Sequence, residues 1–575
     1  MQNIYKTWQL FSKKLKVNFV FLFIFVLLST FLEMFTISLL VPILNIFNGD
    51  LIEIKSFLLN YNLNFLISYL NLSTILIFFL TFFFLKTVFR IFVTHYQTYF
   101  VFNFFTKLLN RLYIKYIYKS YSYHQKNNSA TLMRNLLNEI HQCAVGYVGA
   151  VTSIMLELTT VIGLVLILAL YQPLLTLTFI FFISIVSILF ISNLKKKTST
   201  LGSDRQKLSL MNVKNIMESL GGIKEIKVNL KEKEVIKNFK KISEGLKKIN
   251  YLIIFINQLP KLFLELIVVT SIVGLMLYFV WADYDIKDIV IYFALMIGIF
   301  SKILPSISKI SSSFINLNFY KPSIDLLFDE INYKNYSNFA KENEKLNIHK
   351  ISFNKKIEFK NLSFSYDQEN INLKNINLKI ERGDKIGIIG LSGSGKSTFI
   401  NLLIGLLKPN NGEILVDDKN INLNYQNWYS KIGYVPQNVY INDQSIKDNI
   451  TFYENSSDFN SKKYENSLKT AQIAELEAVL KSRKLDIGER GSLISGGQLQ
   501  RIGLARALYK DSQILIFDES TSSLDEKTEK NFINDLNNIN KDKTVIIVSH
   551  KKSALKNCKR ILEIKDSLIK EIYNV

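Results

Sequence analysis

Six long apolar runs, all lying before about Ser313, limit what this chain can fold into more than any other feature. They fall at about Asn18–Phe47, from Ser73 past Val93, and at Tyr147–Leu170, Leu174–Leu194, Leu252–Val280 and Ile286–Ile310. Each meets the roughly 20 residues that a helix needs to cross the hydrocarbon core of a bilayer. A chain in lipid must satisfy its own backbone N–H and C=O groups, so runs of this length predict helices. Pro42 sits near the outer end of the first run, and Tyr171-Gln172-Pro173 turns the third into the fourth. The first run is long and no small-residue cleavage site follows it, so a span is expected there rather than a signal peptide. The chain of 575 residues is longer than one ordinary domain, and the part after the sixth run reads as soluble.

The bias of lysine and arginine orients the spans. The segment Lys195–Asn250 carries fifteen Lys/Arg against six Asp/Glu. Val101–His141 carries Lys107, Arg111, Lys115, Lys119, Lys126 and Arg134 against Glu139 alone, and the N-terminus adds Lys6, Lys13, Lys14 and Lys16. On the other side, Asp283, Asp285 and Asp288 surround only Lys287. The N-terminus, both long loops and the C-terminal domain are therefore expected in the cytoplasm. The net charge of +22 could suggest nucleic acid. Basic loops beside an anionic leaflet explain it more cheaply, and no nucleic-acid partner is expected. Cys143 and Cys558 lie far apart, the five histidines are scattered and no internal repeat is visible, so neither a disulfide framework nor a metal cluster is predicted.

Both basic loops keep helical periodicity, as at Leu108, Leu112, Ile117 and at Leu132, Leu136, Leu137. They read as spans continuing beyond the bilayer; amphipathic helices lying on the membrane are the alternative. The first outer loop has apolar Leu51, Ile52, Ile54, Phe57, Leu58, Leu59, Leu63, Phe65 and Leu66, which suit an interfacial helix or a partly buried loop. Ionisable groups within the spans are more telling, because charge at depth is costly and usually faces a cavity. Lys86 and Arg90 lie four apart, Lys261 follows Pro260 one turn before Glu265, and Lys302 and Lys309 flank Pro305. These bases outnumber the acids Glu33, Glu157 and Glu265, so a basic cavity for an anionic headgroup is expected. Snorkelling or local Lys–Glu pairing is the alternative.

The soluble part holds Gly390-Leu391-Ser392-Gly393-Ser394-Gly395-Lys396-Ser397-Thr398, between the apolar run Lys385–Ile389 and a helix-like run from Phe399. This is the phosphate-loop pattern in its strand–loop–helix setting. Its glycines let backbone N–H groups cradle phosphate at a helix N-terminus, Lys396 reaches the β- and γ-phosphates, and Ser397 ligates Mg²⁺. Upstream, Tyr366 ends a strand where a ring could stack on adenine. Downstream come Tyr434-Val435-Pro436-Gln437, Gly488-Glu489-Arg490-Gly491, Ile494-Ser495-Gly496-Gly497-Gln498, the strand Ile514–Phe517 with Asp518 and Glu519, Ser523-Leu524-Asp525, and Ser549-His550. Gln437 suits Mg²⁺ or the attacking water. Ser495–Gln498 opens a second anion-binding helix. Asp518 suits Mg²⁺ through water, Glu519 suits the water's proton, and His550 is a candidate γ-phosphate contact.

In these ordered motifs the chain resembles the ATP-binding cassette family over about Ile357–Val575, with Ile494 where Leu is usual and Lys551 where Arg is common. The six spans resemble the exporters of that family. The resemblance implies an ATP site built from Tyr366, the phosphate loop and Asp525 of one chain and Ser495–Gln498 of another, hence a dimer, most simply a homodimer. It also implies coupling elements near Ser122–Lys126 and Gly221–Val228. The expected fold is a six-helix all-α transmembrane domain (1–331), a linker (332–356) and a cytoplasmic α/β P-loop NTPase domain (357–575).

The membrane half also resembles the bacterial lipid-linked oligosaccharide flippase of protein N-glycosylation (PglK-type), through Leu32–Pro42, Val88-Phe89-Arg90, Pro260-Lys261 and Lys302–Ser306. That resemblance implies cavity cations at Arg90, Lys261 and Lys302, with two lysines where the flippase has arginines, so charge is kept but the bidentate fork is lost. The expected function is ATP-driven flipping of an anionic, pyrophosphate-linked glycolipid across the bacterial inner membrane. Export of another lipid, or of a peptide or protein, is the alternative; the lack of a peptidase-like segment before the first span weighs against a processing exporter.

Overall fold

The computed structural model describes residues 2–39, 43, 72–171, 173–281, 286–332, 351–366, 371–520, 542–556 and 558–572. Pro42, the apolar outer loop from Leu51 to Leu66, Gln172, Asp283, Asp285, linker residues 333–350 and the Ser523-Leu524-Asp525 motif lie outside the described residues. The chain divides into two compact units, residues 1–119 with 124–336, and residues 120–123 with 337–575.

The first unit is helical. Its principal helices are Gln2–Leu10, Lys13–Ser38, Leu72–Ile117, Gly149–Tyr171, Pro173–Gly221, Glu232–Trp281 and Ile286–Asn332. Among the described residues, four helical stretches are long and apolar enough to cross a membrane: Lys13–Ser38, Ser73–Ile117, Ser129–Ile167 and Glu232–Thr270. Ser12 caps the first of these, accepting the Leu15 N–H at 3.4 Å. That helix buries Leu15, Leu22, Val26, Ser29 and Glu33 along one stripe and turns Phe21, Ile24, Leu28 and Phe31 outward, as a helix packed on one side and facing lipid on the other would.

Four helices, of 46, 49, 50 and 47 residues, run far beyond one span. At 1.5 Å per residue each is about 70–75 Å long, against about 30 Å of hydrocarbon. The basic segments therefore continue the spans, and the helices pass through Pro260, Pro305 and Pro322 without ending. Short helices, Tyr121–Lys126 and Ile223–Val228, occupy the two turns between the extensions. The periodicity expected around Leu136 and Leu137 is interrupted: Asn135–Glu139 and Gln142–Val148 are π-helical, a local widening that places side chains off the 3.6-residue register.

Two contacts fix the extensions of the first unit. A Cβ on Gly202 would stand 2.1 Å from the Phe319 carbonyl oxygen, so only glycine permits this approach of the Pro173–Gly221 and Ile286–Asn332 helices. Beside it, the fully buried Glu139 accepts from Arg205 Nη2 at 3.1 Å, Ser323 Oγ at 2.5 Å and Gln206 Nε2 at 3.3 Å.

The second unit has two sheets. Strands β1 (Lys356–Ser365), β2 (Ile371–Glu381), β4 (Asn411–Val416) and β5 (Lys419–Asn420) form an antiparallel sheet in the order β2-β1-β4-β5. The other sheet contains β3 (Lys385–Ile389), β6 (Ile432–Val435), β7 (Ile514–Asp518), β8 (Thr544–Val548), β9 (Arg560–Lys565) and β10 (Leu568–Ile572), in the order β10-β9-β3-β8-β7-β6. All its pairings are parallel except β9–β10. β7 and β8 are buried along their whole length, which is why they read as unbroken apolar runs rather than alternating ones. The parallel order brings the carboxyl ends of β3, β8, β7 and β6 side by side, where α/β sheets bind ligands.

Candidate nucleotide site and membrane cavity

The phosphate loop leaves β3 and enters the Lys396–Ile404 helix through Gly395, whose φ is +105°. Gly390 is the tightest point of the loop. At φ +155°, an added Cβ would lie 2.5 Å from the Ile564 carbonyl oxygen and 2.6 Å from Ser394 Oγ. Gly393, at φ +80°, has open space around it. Lys396 is buried, and its Nζ donates to the carbonyls of Gly390 (2.8 Å) and Leu391 (3.1 Å) and lies 3.1 Å from His550 Nε2. Ser397 is exposed, whereas Ser392 lies on the open rim and Thr398 is buried in the helix. Ser394 Oγ is buried with no hydrogen-bond partner among the described residues. A buried hydroxyl left so costs about 1–3 kcal/mol, and a phosphate oxygen would satisfy it.

Residues far apart in sequence meet at the neighbouring strand ends. Gln437 Nε2 donates to Glu519 Oε2 at 2.8 Å, and His550 Nε2 stands 3.2 Å from Glu519 Oε1. Glu519 adopts φ +50° and donates its backbone N–H to Val548 at 2.9 Å, so β8 holds the residue that follows β7. A non-glycine residue in that region costs of order 1–3 kcal/mol and is found where a side chain must be aimed. Asp518 is buried at the end of β7 and receives the Tyr434 hydroxyl at 3.3 Å. Burial pushes its carboxyl above the usual range and the Glu519 charge adds to this, while the Tyr434 bond and Lys396 hold it down. Ser397, Gln437 and Asp518 supply a hydroxyl, an amide oxygen and a carboxylate, the oxygen donors that Mg²⁺ takes.

Ser495 caps the Gly496–Tyr509 helix. Its hydroxyl accepts the Gln498 N–H at 3.3 Å and its own N–H goes to Gln498 Oε1 at 2.8 Å, a complete capping box. Among the described residues, Gly496 has nothing within 4 Å of a would-be Cβ, so the helix end is open to them on that side. Tyr366 is partly exposed just after β1, with its ring edge-on to Phe364 at 5.0 Å. Its N–H bonds to Asn372 Oδ1 at 3.2 Å, and the Asn372 carbonyl oxygen lies 3.2 Å from a would-be Cβ on Gly395, so the tyrosine sits one residue from the loop. Two residues given no role from the sequence hold the site together. Tyr434 supports Asp518, and Gln500 Nε2 donates to the Gln437 carbonyl at 2.6 Å, tying the Ser495-capped helix to that glutamine. Only their places beside recognised motifs could have drawn attention to them.

In the membrane unit a cavity of about 820 Å³ is lined by Glu33, Lys86, Arg90, His95, Glu157, Lys302 and Lys309, with serines and threonines between them. It takes in Lys86, Arg90 and Lys302 but not Lys261, which is exposed and stands 3.8 Å from Glu265 one turn along its own helix. The helix simply turns that position elsewhere. The cations are partly neutralised: Lys86 stands 3.8 Å from Glu33, and both Arg90 (3.4 Å) and Lys309 (3.1 Å) reach Glu157. Lys302 has no ion pair among the described residues. Four cations against two carboxylates leave the lining net positive.

Known proteins agree with this architecture. The sequence matches the ABC transporter transmembrane region over residues 19–304 and the ABC transporter family over residues 373–522. It is 40% identical over 221 residues to the alpha-hemolysin translocation ATP-binding protein HlyB of Escherichia coli O157:H7, which is 37% of this chain and 31% of that protein. It is also 40% identical over 211 residues to the leukotoxin translocation ATP-binding protein LktB of Mannheimia glucosida, covering 36% and 29% of the two chains. The chain thus spans less than a third of the length of these curated relatives. A bacterial Atm1-family ABC exporter with ATP bound shares the fold, with a TM-score of 0.76 over 97% of this chain and 95% of that one at 18% identity. With the transmembrane region and the ATP-binding domain in one polypeptide, this chain belongs to the ABC transporter family.

Proposed function

We propose that this chain is an ATP-hydrolysing exporter that works as a homodimer in the bacterial inner membrane, with its N-terminus and ATP-binding domain cytoplasmic, and that it carries a substrate bearing an anionic group. The convergence of Lys396, Gln437, Glu519 and His550 at adjacent strand ends carries the ATPase reading. Lys396 and the loop N–H groups hold the β- and γ-phosphates. Glu519, oriented by Gln437, accepts the proton of the attacking water, and His550 contacts the γ-phosphate oxygens. Ser397, Gln437 and Asp518 would hold Mg²⁺, which supplies charge neutralisation at the phosphates when bound. Tyr366 stacks on the adenine. Ser495, Gly496, Gly497 and Gln498 of a second copy offer an open helix N-terminus to the same phosphates. The short helices at 121–126 and 223–228 serve as coupling elements.

Two observations pull the substrate in different directions. The relatives' names favour a polypeptide, since HlyB and LktB are translocation proteins for a hemolysin and a leukotoxin. The cations around the membrane cavity favour a compact anionic headgroup, such as the pyrophosphate of a lipid-linked oligosaccharide. The comparisons back the polypeptide and the geometry backs the headgroup. Purified full-length protein in proteoliposomes separates them. Stimulation of its ATPase activity, and ATP-dependent translocation, by a pyrophosphate-linked glycolipid but not by an unfolded acidic polypeptide selects the headgroup; the reverse selects the polypeptide. An absence of ATP hydrolysis under all conditions would refute the exporter reading itself.

A further inference from the structure

Glu157 is the best-connected charge in the membrane cavity. It lies on the Gly149–Tyr171 helix with a side chain only 6% exposed. One oxygen, Oε1, faces Arg90 Nη2 at 3.4 Å from the Leu72–Ile117 helix and Lys309 Nζ at 3.1 Å from the Ile286–Asn332 helix. The other, Oε2, accepts the Ser306 hydroxyl at 2.7 Å. This carboxylate therefore pins three helices through two of the four cavity cations. Glu33 offers Lys86 a looser contact at 3.8 Å, and the Lys86 ammonium also lies 4.5 Å from the Phe83 ring centroid. Lys302, on the same lining, has no ion pair among the described residues.

We propose that Glu157 is an internal counter-anion that competes with the substrate for Arg90 and Lys309, and so sets how tightly the cavity holds an oxyanion headgroup. This rests on the reading of the cavity as the substrate site. The headgroup meets Lys302 first, because that cation has no ion pair among the described residues, and then draws Arg90 and Lys309 away from Glu157. Charge-assisted hydrogen bonds are the strong ones, so an exchange of partners at these two cations keeps them satisfied throughout. Binding is weaker than four free cations would give, and release is correspondingly easier, because Glu157 takes the two cations back. The arrangement makes Glu157 a specificity-determining residue: a ligand with one weak charge cannot displace it, whereas a pyrophosphate can.

The experiment measures equilibrium binding of fluorescent polyprenyl pyrophosphate to full-length protein in phosphatidylcholine nanodiscs, with the uncharged polyprenol and an acidic peptide as parallel probes. Glu157→Gln is expected to bind the pyrophosphate about tenfold tighter, the change that losing one competing charged hydrogen bond gives. Should that variant fail to give monodisperse protein, single cation variants carry the same test. Lys302→Gln is expected to weaken binding about tenfold, and Lys309→Gln less than about threefold, because Lys309 is already engaged by Glu157. Unchanged or weaker binding by Glu157→Gln overturns the proposal, as does an equal loss in the two lysine variants. If the unaltered protein prefers the uncharged polyprenol or the acidic peptide, the headgroup reading of the cavity falls, and the role of Glu157 falls with it.

Discussion

Replacing Glu519 by glutamine tests the chemistry of the site with little disturbance of its shape. The amide is nearly isosteric, and its oxygen can still accept the Gln437 Nε2 hydrogen bond that now measures 2.8 Å. The left-handed backbone and its bond to Val548 are untouched. What goes is the charge that takes a proton from water. A positioned general base contributes about 10²–10⁴-fold, which is about 2.7–5.4 kcal/mol at 1.36 kcal/mol per tenfold. Only 23% of the Glu519 side chain is exposed, so bulk water is poorly placed to stand in for it. A loss near the middle of the range, about a thousandfold, is therefore expected. The assay is phosphate release by full-length protein in nanodiscs, paired with retention of labelled ATP through gel filtration. The variant should release almost no phosphate while keeping nucleotide in a dimer. Release within tenfold of the unaltered protein would refute Glu519 as the base.

Gly390→Ala should weaken ATP binding at least about tenfold, read with a fluorescent nucleotide, because its Cβ would press on the Ile564 carbonyl oxygen at 2.5 Å at the point where the loop turns. Gln500→Leu removes the donor to the Gln437 carbonyl, and steady-state kinetics should show kcat for ATP falling several-fold with KM little changed, the mark of a loosened water-positioning residue. Arg205→Met leaves the fully buried Glu139 without its cation while keeping a long side chain beside Phe319, and thermal unfolding should register a loss of about 3–5 kcal/mol. Hydrogen bonds from Arg560, at 2.7 and 3.1 Å, hold the Glu571 carboxyl below its usual range. That stabilisation is complete above about pH 4.3 and is lost as the pH falls through the lower folded value. Unfolding temperatures followed across that window should show the loss in the unaltered protein and its absence in Arg560→Ala.

What could be read in the sequence was what is contiguous in it. The phosphate loop, the Ser495–Gln498 helix start and the acids ending β7 are local signals, because a glycine turn, a capping box and an apolar strand each need only neighbouring residues. The pairing of Gln437 with Glu519 depends instead on β6 lying beside β7, and a parallel register is not written in either strand alone. Tyr434 belongs to the same case: its contact with Asp518 needs both strands in place. In the membrane unit the positions of the charges were visible but not their directions. Lys261 and Glu265 pair one turn apart, as their spacing allows. Glu157 meets Arg90 and Lys309 across three helices whose rotations follow from packing. The π turns near Leu136 escaped because apolar periodicity assumes the very register that they break.

The great length of the helices in the first unit has a mechanical consequence. Leu72–Ile117, which lines the cavity through Lys86 and Arg90, runs for 46 residues, about 69 Å, so a tilt of about 5° about one end would swing the other by about 6 Å, more than one helical pitch. Such a rod is a lever. A rearrangement of an ångström or two among cavity side chains, too small to open any path by itself, becomes at the far tip a displacement as large as a whole turn. The same ratio runs in reverse, so a large push at the tip arrives in the cavity as a small, forceful one.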